Sequence, residues 1–261
     1  MLTLLAAATV VKLAYSFPVD VKRTYDVKTT FEGYVPLLSG IEGKVEVNLV
    51  MAAQGEKPDA DGNTQVLGTL EDIKLLLNGE VMSIVTLDMV KPYFPPTTIS
   101  ISPVGETLRT NAPDLPFPVK LPGLDIKRIP DITYLPVQLP PDGAEEGKSY
   151  TFKRAFGDSD MTYTATPTKV TDDAVDLDVT IAQNYDVLES DSNEVVKDKK
   201  DAASTVHTTL TGKGTATFDR HLGIFTNVAI DSSAHSVVTD IETKKETTRD
   251  LKIKQEVKLR K

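Results

Sequence analysis

Apolar residues recur at every second position through most of the chain, the period of a strand with one covered face and one wet face. From Thr24 to Glu32, Tyr25, Val27, Thr29 and Phe31 share one side, while Thr24, Asp26, Lys28, Thr30 and Glu32 share the other. Val45, Val47, Leu49 and Met51 alternate with Lys44, Glu46 and Asn48. Asn78-Gly79 sits between Ile73–Leu77 and Glu80–Val85 and predicts a type I′ hairpin, because both central residues need positive φ. One or two helical turns over Glu71–Leu77 is the competing reading. Later in the chain Met161, Tyr163 and Ala165 alternate with threonines, and Val175, Leu177, Val179 and Ile181 alternate with Asp176, Asp178 and Thr180. The final strand places Leu251, Ile253, Val257 and Leu259 on one side and Lys252, Lys254, Glu256, Lys258 and Arg260 on the other. Its lysines read as guards of an edge strand against pairing with another chain.

Between these strand-patterned regions lies a proline belt, Lys91 to Gly143, which holds all but four of the 16 prolines. Proline removes a backbone donor and fixes φ, so neither a long helix nor a central strand survives that density. The belt is also apolar, with Phe94, Leu115, Phe117, Leu121, Leu124, Ile126, Ile129, Ile132, Leu135 and Leu139 among the prolines. It reads as a strap packed against both flanking regions. About a dozen strands with no strong helix signal predict an all-β protein. The expected architecture is two antiparallel, curved, sheet-bearing halves, residues 17–110 and 147–261, joined by a proline-rich strap at 111–146. Thr97–Leu108 and Gly214–Phe225 share a strand, a polar turn ending in Gly and a returning strand, and Lys22–Val27 and Gly147–Phe152 open their halves alike. That echo suggests a duplicated half-barrel or clam.

Leu2–Val11 has the length of a signal-peptide apolar core, and Ala6-Ala7-Ala8 or Ala14-Tyr15-Ser16 satisfies a small-x-small cleavage rule, although a basic leader region is missing. Residues 1–16 are therefore expected to be a truncated signal peptide of an exported protein, periplasmic or secreted. The alternative makes Thr9–Phe17 a first strand. No apolar run is long enough for a membrane-spanning helix. The absence of cysteine excludes disulfides, thiolate metal sites and the acylated cysteine of a lipoprotein. A net charge of −9 argues against a nucleic-acid partner, and an aromatic content of 6% weakens the case for sugar or base stacking.

Leu139-Pro-Pro-Asp-Gly-Ala-Glu-Glu-Gly147-Lys-Ser-Tyr150, followed by Gly212-Lys-Gly214-Thr-Ala-Thr-Phe218-Asp219 and Gly223, resembles a group of uncharacterised exported bacterial proteins. These carry an LP…G-x-x-aromatic entry, usually with Trp where this chain has Tyr150, and a glycine-rich strand ending in Phe-Asp and a Gly turn. The resemblance covers mainly the C-terminal half and implies export and a β-rich fold, with no activity to carry over. In style the chain is also similar to periplasmic lipoprotein-carrier half-barrels, whose curved sheet holds acyl chains.

Catalytic chemistry finds little to stand on. His207 alternates to the solvent side, His221 sits in a turn, and His235 shares parity with Val237 and Ile241, which places it half-buried beside Ser233. No Gly-x-Ser-x-Gly elbow accompanies them. Asp59, Asp61 and Asn63 resemble half of a calcium loop, but the twelfth position is Leu70, and the same residues serve a turn. Asp158/Asp160 and Asp172/Asp173 read as solvated charge. No cofactor is expected. The strand Val206–Phe218 has the small residues Gly212, Gly214 and Ala216 on its inner side, which fits tight curvature, close backbone approach, or room for something else. The expected function is that of a non-catalytic binder or carrier of an apolar, lipid-like ligand held between sheets. Its expected lining is Phe31, Leu49, Leu75, Leu77, Val179, Ile181, Leu210, Gly212, Gly214 and Ala216. The alternative is a structural or interaction protein of the cell envelope in which those positions are packed.

Overall fold

The computed structural model of the chain describes residues 10–35, 42–113, 129–156 and 159–261. Before the belt come β1 (Lys22–Tyr34), β2 (Glu42–Glu56), β3 (Thr64–Leu77) and the two-residue β4 (Glu80–Val81). Within its first part, against the expectation from proline density, lie β5 (Thr97–Ile101), paired on both sides, and β6 (Thr107–Thr110), with Pro103 in the turn between them. After the belt come β7 (Tyr150–Phe156), β8 (Ser159–Val170), β9 (Ala174–Glu189), the short β10 (Val195–Val196), β11 (Ser204–Asp219), β12 (Ile224–Asp240) and β13 (Glu246–Leu259). The short α-helices α1 (Leu87–Val90) and α2 (Ile129–Thr133) and a 3-10 turn, Lys91–Tyr93, lie in the described part of the belt and its approach. All the strands join one antiparallel sheet in the order β6-β5-β3-β2-β1-β13-β12-β11-β9-β8-β7, with β4 on β3 and β10 on β9.

The protein is thus all-β, as the alternation predicts, and its sheet is open and curved. The two sequence halves are consecutive parts of this single sheet, fused where β1 pairs with β13 from Tyr25↔Leu259 to Gly33↔Leu251. There is accordingly one concave face and no space between two sheets. The expected edge role of the last strand is also wrong, since β13 has β1 on one side and β12 on the other. Its lysines face solvent on the convex side, and the register sets Lys258 opposite Asp26, Glu256 opposite Lys28 and Lys252 opposite Glu32. Opposite charges directly across a pair favour that register, and a slip would set like charges together.

Curvature has local causes. Register shifts leave Glu71, Leu108, Thr168 and Thr226 as extra residues in their strands, and each such bulge bends and twists its strand. The Asn78-Gly79 turn has φ of 50° and 89°, the positive values a type I′ hairpin requires, and residues 71–77 are strand, not helix. Of the two echoing hairpins, Thr97–Leu108 is at the sheet edge, while Gly214–Phe225 ends the long central pair β11–β12. Residues 114–128 of the belt, 1–9 of the expected leader, and Asp158 lie outside the described residues.

Candidate functional site

Pairing brings the inward residues into rows across the concave face. Leu77, Val45, Phe31, Ile253, Ser232, Gly212, Ile181 and Tyr163 form one row, strand by strand. Leu75, Val47, Thr29, Gln255, Ile230, Gly214, Val179 and Ala165 form the next. Leu49 and Ala216 belong to a third, and Leu210 to a fourth on the other side. All ten residues expected to line a ligand therefore fall in adjacent rows on one face of one sheet.

The belt covers much of that face. Ile129, Ile132, Tyr134, Leu135, Val137 and Leu139 are all buried. Asp131 in α2 ties the two edges of the sheet together: its carboxylate accepts from Thr107 Oγ1 on β6 (2.9 Å), and its main-chain carbonyl accepts from Arg154 Nη1 on β7 (3.4 Å). Arg154, only 5% exposed, also donates to the carbonyls of Leu135 (2.6 Å) and Pro136 (3.0 Å), with its guanidinium over the rings of Phe152 and Tyr163. A planar fork of donors suits three converging carbonyls in a way that a lysine ammonium does not.

The segment leading into β1 completes the cover. Tyr15 stacks on Phe17, meets Phe218 and Phe225, and donates its hydroxyl to the Val137 carbonyl (2.6 Å). Phe17 packs edge-on against Tyr134, which lies beside Tyr25. Val10–Ser16, part of the expected leader, is held by a bridge between Val11 and Ala144 and a bond from the Ser16 amide to Gly223. Burial pushes the phenols of Tyr15, Tyr25, Tyr134 and Tyr150 well above their ordinary range, so these rings are neutral core groups. At the opposite end of the trough, Arg249 on β13 reaches across two strands to Glu189 on β9 (2.6 Å), with the Tyr34 ring beneath it. Only a tightly curled sheet brings those side chains together.

Between the aromatic plug and this ion pair a small cavity of about 40 Å³ remains. Ile132 of the belt roofs it, and Phe156, Met161, Tyr163, Ile181, Leu210, Ile230 and Ile253 make its apolar wall. Thr29, Ser232 and Gln255 give it one polar side. Of the expected lining residues only Ile181 and Leu210 touch it. Phe31, Leu49, Val179 and Ala216 are packed core, and Leu75 and Leu77 are half-buried towards the β4 edge. Gly212 and Gly214 do not mark open room either. A Cβ at Gly214 would overlap the Ala229 carbonyl of β12, and one at Gly212 would overlap Ser232 Oγ and crowd Ile181. Close approach of the β12 main chain is the physical reason at Gly214, and crowding by the side chains of Ser232 and Ile181 is the reason at Gly212.

The remaining candidates are accounted for in the same way. Asp59 Oδ1 accepts from the amides of Asp61 (3.0 Å) and Asn63 (2.9 Å), and Oδ2 accepts from Ser100 Oγ (2.7 Å) and Asn63 Nδ2 (3.1 Å). The bond from Ser100, then those from Asn63, hold its carboxyl down at about 2. Asp61 pairs with Arg109. The Asp59 carboxylate is thus spent on the turn and that of Asp61 on Arg109, and no three acidic or histidine side chains converge as metal ligands among the described residues. His235 corrects the expectation: it is exposed and bonded to Asp250 (2.7 Å), because the inward set on β12 is Val228, Ile230, Ala234 and Val238. His207 is exposed and pairs with Asp186, and His221 pairs with Asp173. Sequence reasoning missed Arg154 and Gln255. The signal for each was a polar residue at an inward position, after Tyr150 and Phe152 in one case and between Ile253 and Val257 in the other.

These features define a class: a large open antiparallel sheet curled round an apolar trough that its own belt covers. No protein-family model matches the chain, and no curated protein does. A solved structure described as "Lipid-protein interactions in lipovitellin" shares the fold at a TM-score of 0.54 and 12% sequence identity, over 94% of this chain and 26% of that one. The likeness shows the fold alone, and this chain spans about a quarter of the lipovitellin chain.

Proposed function

We propose that the protein is a non-catalytic module, acting outside the cytoplasm, that binds or carries an apolar, lipid-like ligand on the concave face of its sheet. The observation that carries this reading is the unfilled apolar cavity under Ile132, in a trough whose described cover there is a stretch of belt without sheet pairing. Strand pairing holds the wall, whereas residues 129–139 of the belt are attached by apolar packing, by the side-chain bonds of Arg154, Thr107, Tyr15 and Tyr150, and, among the described residues, by a single main-chain bond from Leu139 to Val104. Displacing Ile132 would extend the cavity along Ile181 and Leu210 without breaking the sheet. The fold shared with lipovitellin supports the reading, since that structure is described by its lipid–protein interactions.

The volume favours a second reading. At about 40 Å³ the cavity is far below the several hundred Å³ of a typical ligand site, as expected of a packed structural or interaction module. Val81, Ile84, Met89 and Tyr93, all more than half exposed on the excursion that follows β3, would give such a module a contact surface. One experiment separates the two readings. The protein is purified from a lipid-containing host, extracted with organic solvent and examined by mass spectrometry, then titrated with a fluorescent lipid. Stoichiometric lipid, or saturable uptake lost when Ile230→Phe fills the cavity, supports carriage. Empty protein that also fails to take up the probe leaves the packed module.

A further inference from the structure

Gln255 is a polar interruption on the inward side of β13, between Ile253 and Val257. Its Nε2 is buried and has no hydrogen-bond partner among the described residues. A buried donor left unmade is costly, so such a group calls for a partner from outside the chain, water or ligand. The surrounding side chains define where that partner would sit. Thr29 lies directly opposite Gln255 across the β1–β13 pair, Ser232 lies diagonally opposite on β12, and all three border the cavity under Ile132. The hydroxyls can donate or accept, but an amide nitrogen only donates, so the set is built to receive an acceptor oxygen. Among the described residues no lysine or arginine lines the cavity. An anionic carboxylate would therefore be buried without a counter-charge, which is costly, whereas a neutral carbonyl is not penalised in that way.

We infer that Gln255, with Thr29 and Ser232, forms a subsite for the carbonyl oxygen of a neutral acyl ester, whose hydrocarbon part lies along Ile181 and Leu210. This rests on the apolar-ligand reading above and gives its ligand a chemical class. The cavity has room for about two or three waters, a space that suits an ester group while the chain runs out past Ile132. Such a site prefers an ester over both a fatty-acid anion and a plain hydrocarbon, because only the ester satisfies the donor without bringing in a charge.

The test measures binding of radiolabelled methyl oleate, oleate at pH 8 and 1-octadecene to the full chain and to Gln255→Leu. The expected result is that methyl oleate binds best and that Gln255→Leu weakens it about tenfold, the worth of roughly one hydrogen bond. Octadecene binding should stay within about twofold, since it makes no such bond. Gln255→Leu should melt no lower than the parent, because it removes an unmatched buried donor. If it folds poorly, Gln255→Met replaces it in the binding assay. Equal binding of all three probes, unchanged by the substitution, would overturn the subsite while leaving the apolar-ligand reading in place. Binding of none of them means that the cavity holds water only and overturns both.

Discussion

Arg154 gives the sharpest prediction, because the structure makes it the clasp of the belt. Arg154→Met keeps an apolar stem between Phe152 and Tyr163 but removes the fork that binds the carbonyls of Leu135 and Pro136 at 2.6 and 3.0 Å. The bond to Asp131 at 3.4 Å is at the limit of contact and adds little to these two. Each buried carbonyl left unpaired costs about 1–3 kcal/mol, which sets a gross loss of roughly 2–6 kcal/mol. Against this, the variant no longer buries a charge, a relief worth a few kcal/mol that brings the net towards the lower half of that range. We expect a loss of about 3 kcal/mol, or roughly 6–12 °C in melting temperature for a chain of this size. The chain has no tryptophan, so far-ultraviolet circular dichroism in urea and on heating is the suitable readout. Amide exchange locates the effect. The amides of Tyr134 and Leu135, both bonded to the Pro130 carbonyl, should lose protection before those of the central strands. Arg154→Lys should rescue little, since one ammonium cannot reach both carbonyls in the same plane. A variant that melts within a degree or two of the parent, with those amides still protected, would refute the clasp.

Two tyrosines on the same cover should respond in opposite directions: Tyr15→Phe loses the bond to Val137 and about 1 kcal/mol, whereas Tyr134→Phe, whose hydroxyl has no partner among the described residues, should be neutral or stabilising in urea titrations. Gly214→Ala should destabilise by about 2 kcal/mol or more by thermal melting, because its Cβ overlaps the Ala229 carbonyl; an unchanged melting temperature would show that the β11–β12 contact is looser than described. Asp59 has a folded-state pKa of about 2, below its unfolded value of about 3.9, so its contribution is present above pH 4 and is lost as pH falls towards 2. Asp59→Asn should lower stability above pH 4, where the ionised carboxylate contributes, leave it little changed near pH 2, and so flatten the stability–pH curve between the two. Calcium or EDTA should not move the melting temperature, and a calcium-dependent rise abolished by Asp61→Ala would contradict the assignment of that loop as a turn.

What could be read from the sequence was whatever depends on neighbours two residues apart. Alternation along β1, β2, β9, β11 and β13 sorted Tyr25, Phe31, Leu49, Val179 and Leu210 to the covered face. The Asn78-Gly79 hairpin was legible because positive φ is a local demand. Proline density told that Lys91–Gly143 holds no long helix but hid β5 and β6, which lie within it, and the belt's apolar content told that it must be covered. Where alternation is weak, as in Ser232-Ser-Ala-His-Ser-Val-Val238, parity could not be chosen, and His235 was set on the wrong side. Strand neighbours were beyond reach for a different reason. The pairing of β1 with β13 joins residues more than two hundred positions apart, and nothing near Lys252 distinguishes an edge strand from a central strand with a wet face. Crowding, by side chains at Gly212 and by the β12 main chain at Gly214, has the same appearance in sequence as empty space. Tertiary structure alone decided that the halves are one sheet, that Arg154 clasps the belt across its edges, and that Gln255 faces a cavity without a partner. Each of these is a contact between segments distant in the chain, which sequence periodicity does not encode.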